Sequence, residues 1–136
     1  MNRRSLTVYS HSNAAKAYQM INNTTVSGRE TEARVLSEAA DKLKHCIDNW
    51  NASTSRGVQL DEALRYNQRI WSMFQSDLAS ETHPLPRQLR EEILSLSVFI
   101  DKRIFEVMAY PNPDKLKIIV KINRNLAAGL RGSIDN

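Results

Sequence analysis

Apolar residues recur every three or four positions along most of this chain, and that rhythm predicts helices. A residue on an α-helix advances roughly 100° around the axis, so positions three and four apart share a face. Ala14, Ala17, Tyr18 and Ile21 make a first short face over about Ser12 to Ile21. Asn22 to Val26 reads as a turn. Ser27 and Glu30 then have the spacing of a capping box, in which each side chain satisfies an orphan backbone donor. The second helix follows with Val35, Leu36, Ala39, Leu43, Cys46, Ile47 and Trp50 on its stripe. Asn51 to Gly57 is polar and glycine-containing, a loop by composition. A third helix is expected from about Gln59 to Ala79. Pro84 stops it, and Pro86 stands where the first residue of a fourth helix belongs. Tyr110-Pro111-Asn112-Pro113 ends that helix near Tyr110. Asn112 is a good cap for a fifth helix, with Pro113 as its first residue. Gly129 and Gly132 mark its end near Leu130. The expected fold is an all-α, compact, single-domain bundle of about five helices, with the fourth one central. The domain spans residues 13–131, between a polar arm at 1–12 and a short tail at 132–136.

Two stripes carry an asparagine in their middle. Asn67 falls among Leu60, Ala63, Leu64, Ile70, Trp71 and Phe74. Asn123 falls among Leu116, Ile119, Val120, Leu126, Ala127 and Leu130. An amide leaves water with several hydrogen-bonding groups to satisfy, and cores accept this only where partners are in place. Each amide is therefore expected to tie its helix to a nearby loop or helix end. Trp71 and Phe74 are expected in the core.

The fourth helix is apolar on two sides. Leu89, Ile93, Leu96, Ile100, Ile104 and Val107 make one face; Leu94, Val98 and Phe105 make another, roughly 130° away. The plainer reading encloses both faces within the fold. The sharper one gives part of the second face to another protein's helix.

Composition narrows the function classes. With 136 residues the chain can bury a core without disulfides or metals. The net charge of +4 fits nucleic acid, an acidic protein or neither. Lys115, Lys117, Lys121, Arg124 and Arg131 gather in the last helix, which suits a solvated face, an acidic partner or RNA. Cys46, the single cysteine, reads as a buried inert thiol. The most apolar window, Ile93 to Ile100, is too short to span a membrane, and a cytoplasmic location is expected. His11, His45 and His83 lack zinc-ligand spacing and read as surface residues. Glu32 reads as a first-turn residue favoured by the helix dipole, in preference to a partner of Arg29 or Arg90. No phosphate loop or nucleophile elbow is present, so no catalytic residue, metal or cofactor is expected.

Several segments, taken in order, resemble the flagellar biosynthesis regulator FlaF family of alphaproteobacteria. They are Arg29-Glu30-Thr31-Glu32-Ala33-Arg34 with Leu36, and Asn67-Gln68-Arg69-Ile70-Trp71 with Phe74 and Asp77. Leu85-Pro86 with Leu89-Arg90, Ile93 and Leu96 follows, then Ile119-Val120-Lys121-Ile122-Asn123-Arg124 with Leu126 and Gly129-Leu130. The resemblance implies a small helical protein that promotes flagellin synthesis and export, acting with flagellin and opposite the regulator FlbT. It implies chaperone-like binding of unassembled flagellin, whose terminal segments are amphipathic helices unpaired until assembly. A groove could shield them. We expect it between the second face of the fourth helix and the last helix, lined by Leu94, Val98, Phe105, Ile118 and Ile122. The alternative is direct binding of flagellin messenger RNA through the basic side of the last helix.

Overall fold

The computed structural model describes the backbone of residues 14–51 and 56–135, and the side chains of 28–51 and 57–132. The expected arm at 1–12 lies outside the described residues. Four helices follow in order: α1 (Ala14–Asp48), α2 (Arg56–Leu78), α3 (Arg87–Ala109) and α4 (Pro113–Asp135). The protein is all-α, with four helices where the pattern suggested about five.

The lost boundary is the turn at Asn22 to Val26. It is helical, and α1 runs unbroken for 35 residues. Asparagine, threonine and valine each cost only fractions of a kcal/mol relative to alanine inside a helix. No proline stands in this helix, and each added residue closes one more hydrogen bond. Ser27 is therefore interior to a helix, and Glu32 is not in a first turn. At the other end α4 continues through Gly129 and Gly132 to Asp135. Glycine weakens a helix but ends one only where the backbone turns left-handed, and no described glycine has positive φ.

The proline positions behave as their chemistry requires. Pro86 (φ −56°, ψ 146°) caps α3, one place earlier than expected, and its carbonyl accepts from Arg90 N–H at 3.0 Å. Asn112 Oδ1 accepts from Asp114 N–H at 2.9 Å, so Asn112 caps α4 with Pro113 as its first residue.

α1 makes its longest contact with α4; α2 packs on α1 and α3, and α3 on α4. Ala33, Ala39 and Ala40 are fully buried on α1, and such small side chains allow close approach. Leu36, Leu43, Leu64, Trp71, Ile100, Ile104, Leu116 and Ile119 fill the centre. Trp71 meets Phe74 edge to face, with centroids 5.7 Å apart. Among the described residues, no helix is long and apolar enough to cross a membrane.

Candidate interaction site

The two buried asparagines satisfy each other. Asn123 Nδ2 donates to Asn67 Oδ1 at 2.7 Å, and Trp71 Nε1 donates to Asn123 Oδ1 at 3.0 Å. Asn67 Nδ2 donates to the carbonyls of Ala39, at 3.2 Å, and Ala63, at 2.9 Å. One chain of hydrogen bonds thus joins α1, α2 and α4 through groups sealed from water. The expectation of polar ties holds, but the partner of each amide is the other amide rather than a loop or helix end.

Arg90 anchors the α2–α3 connection. Its guanidinium donates to the carbonyls of Leu78 (3.3 Å), Ser80 (2.9 Å) and Leu85 (3.2 Å). In the same connection, the His83 side chain is only 4% exposed, so His83 is not a surface histidine. Leu85 N–H donates to His83 Nδ1 at 3.2 Å, which leaves the ring proton on Nε2, 3.3 Å from Asp77 Oδ2. Glu32 completes a group of three whose ligand-type atoms lie within 4.8 Å of one another. Histidine that binds a metal through Nε2 normally donates from Nδ1, whereas here a backbone donor occupies that side. The cluster brings polar side chains of α1, α2 and the connection together. Sequence spacing could not find it, because Glu32 and His83 are adjacent only through packing. Leu85 is half-buried against the core, and Pro86 is exposed.

α3 is not enclosed on both sides. Ile93, Ser97, Ile100, Ile104 and Val107 are buried, with Ser97 Oγ donating to Leu94 carbonyl at 2.6 Å. Leu89, Leu96, Val98, Phe99, Phe105, Met108 and, just past the helix end, Tyr110 are exposed. Among the described residues, most of the exposed large hydrophobic side chains thus belong to one helix and its cap. The plainer sequence reading, both faces buried, fails here: among the described residues, α3 has packed neighbours only on its inner side.

Two polar contacts show which neighbour each flank of α3 meets. Arg103 Nη1 donates to the Lys115 carbonyl at 3.3 Å, so the Arg103 flank faces α4. Gln75 Nε2 donates to Asp101 Oδ2 at 2.9 Å, so the Asp101 flank faces α2. Leu96 and Phe99 lie within roughly 40° of Arg103 around the axis, and Val98 and Phe105 roughly 140–160° from it. On α4, Arg124 pairs with Asp41 and Arg131 with Glu30, both at 3.3–3.4 Å, which turns that flank toward α1. Half-buried Ile118, Ile122 and Leu126 lie on the other flank, toward α3.

The five residues expected to line one groove are therefore divided. Leu94, Val98 and Phe105 flank α2; Ile118 and Ile122 flank the opposite side of α3. The exposed apolar residues on the α3 flank that faces α4 are Leu96 and Phe99 instead. Arg103 lies over the Phe99 ring at 5.2 Å. The periodicity gave the angular positions on α3 but not the neighbour that each flank would meet.

The basic residues of α4 are largely committed to nearby acids. Lys117 pairs with Asp114 at 3.0 Å, in addition to Arg124 with Asp41 and Arg131 with Glu30. Cys46 is buried as expected, and burial, reinforced by Glu62, pushes its thiol pKa up.

The profile of the flagellar protein FlaF family matches residues 14–130, almost the whole described bundle. The chain belongs to the FlaF family. No curated protein and no solved structure matches it. The segments that carry the FlaF resemblance now have a physical meaning. Asn67, Trp71 and Asn123 form the buried network, Arg90 closes the connection, Phe74 is core, and Arg124 binds α1. They hold the FlaF bundle together, while the exposed apolar surface lies mostly on residues between them.

Proposed function

We propose that this FlaF-family protein binds unassembled flagellin as a chaperone-like factor and thereby promotes its synthesis and export. The observation that supports this reading is the exposed apolar flank of α3 that faces α4. Leu96 is 37% and Phe99 38% exposed, and both lie on the α3 flank that the Arg103–Lys115 contact turns toward α4. An amphipathic helix from a flagellin terminus would bury its apolar face there, the helix-in-groove mode. Ordering such a segment on binding uses part of the interaction energy, which keeps release feasible. A regulator like FlbT is a further partner that the family membership suggests.

Purified flagellin, intact or lacking either terminus, tests the reading in a pull-down. The intact protein is retained, and deletion of the terminus that supplies the helix abolishes retention. Leu96→Asp with Phe99→Asp lowers retention at least about tenfold, the loss of roughly 1.4 kcal/mol or more, while circular dichroism stays unchanged. Failure to retain any form removes the proposal. Retention that collapses as salt rises, together with binding of flagellin messenger RNA, transfers the function to the nucleic-acid reading.

A further inference from the structure

The α2–α3 connection holds an ionisable ring that the flagellin reading does not use. The His83 side chain is almost fully buried, and both ring nitrogens are engaged. Nδ1 accepts from Leu85 N–H at 3.2 Å, and Nε2 stands 3.3 Å from Asp77 Oδ2. The charged groups around the ring come from three helices. Asp77 belongs to α2 and Glu32 to α1, and a carboxylate oxygen of each lies within 4.8 Å of a ring nitrogen and of the other. Arg29, three residues before Glu32, shares its side of α1, and its Nε is buried without a hydrogen bond. Arg90 of α3 donates to the carbonyls of Leu78, Ser80 and Leu85. Glu81, in the connection itself, is exposed.

This arrangement suits the neutral ring, and one of its contacts fails when a proton is added. Histidine is the side chain whose charge changes nearest neutral pH. Its cation carries N–H on both nitrogens and accepts no hydrogen bond. At Nε2 the carboxylates of Asp77 and Glu32 favour the cation. At Nδ1 the new N–H meets Leu85 N–H, donor against donor, so that contact must break. Leu85 packs against the core and gives its carbonyl to Arg90, so the residue released from His83 is the one that leads into α3. We infer that His83 is a proton-operated latch on the α2–α3 connection: the neutral ring holds Leu85 N–H, and the imidazolium, held by Asp77 and Glu32, releases it.

NMR of the purified full chain between about pH 8 and about pH 5, the range in which histidine changes charge, tests this without any partner. The expected result is that the His83 ring carbons and the Leu85 amide shift with one midpoint. Over the same range, protection of the Leu85 amide against exchange falls at least about tenfold. Asp77→Asn removes a carboxylate that favours the cation, and should move both midpoints together to lower pH. His83→Asn keeps an acceptor for the N–H two residues on, as in an Asx turn, but binds no proton in this range. Leu85 should then stay protected throughout. A His83 ring that remains neutral in the folded chain across the whole range overturns the inference. So does a ring that titrates while the Leu85 amide stays still, or a Leu85 response that survives in His83→Asn. Should His83→Asn not fold, agreement of the two midpoints in the parent and their joint move in Asp77→Asn decide the matter. Flagellin takes no part in these measurements, so the latch and the flagellin reading fail separately.

Discussion

Asn123 both accepts from Trp71 and donates to Asn67, so truncating it affects two buried groups at once. Asn123→Leu leaves the Trp71 N–H and the Asn67 carbonyl oxygen without those partners. Each stranded buried group costs about 1–3 kcal/mol, and urea titration should show a loss of about 2–5 kcal/mol. Trp71→Phe in the Asn123→Leu background should cost less than the two single changes added together, since the stranded donor is then gone. Additive effects would mean that the pair is not coupled. The amides were legible in the sequence because they interrupt apolar stripes. Their reciprocal bond was not, because 56 residues separate them and only the assembled bundle brings α2 and α4 close enough for it.

At the scale of elements, the connections were easier to read than the helix lengths. Proline and asparagine act through local geometry, and Asn112 caps α4 as its chemistry requires. Asn112→Ala should cost about 1 kcal/mol of stability, read as a lower denaturation midpoint with unchanged slope. Arg90 joins three carbonyls around the α2–α3 connection, a pattern that needs a planar fork of donors. Arg90→Lys should fail to restore what Arg90→Ala loses, about 2 kcal/mol. Hydrogen exchange should quicken at residues 78–86 in both variants. Recovery by lysine would show that charge alone suffices. By contrast, the merger of the first two expected helices was hidden, because weak helix formers between Asn22 and Val26 mimic a turn.

At the scale of the whole molecule, pH and salt report on different features. Burial, first, and then Glu62 raise the Cys46 thiol pKa. Burial, first, and then Glu38 raise that of the Tyr66 hydroxyl. The unfolded chain therefore loses these protons first as pH rises, and stability declines above the ordinary thiol range. Below that range the contribution is fully present. Cys46→Ala should flatten the first part of the decline, and the native thiol should alkylate far more slowly than the thiol in urea. The charge on α4 makes a separate prediction. Lys117→Glu with Lys121→Glu should leave flagellin retention unchanged, because an apolar flank does not depend on those charges. Loss of retention would place the contact on the basic side of α4.

Periodicity, proline and capping chemistry were enough to determine an all-α chain, its described helix starts to within a few residues apart from the one extra start at Ser27, most of its core, and the unusual place of two amides. These are local properties, set by backbone geometry and by the spacing of apolar groups over one or two turns. Tertiary packing decided which flank of α3 meets α4 and which meets α2, so it also decided that Leu96 and Phe99, not Val98 and Phe105, lie on the flank turned toward α4. It likewise buried His83 beside Asp77 and Glu32. A helix displays all its flanks in the sequence, but a neighbour covers only some of them, and which ones depends on contacts between residues far apart along the chain.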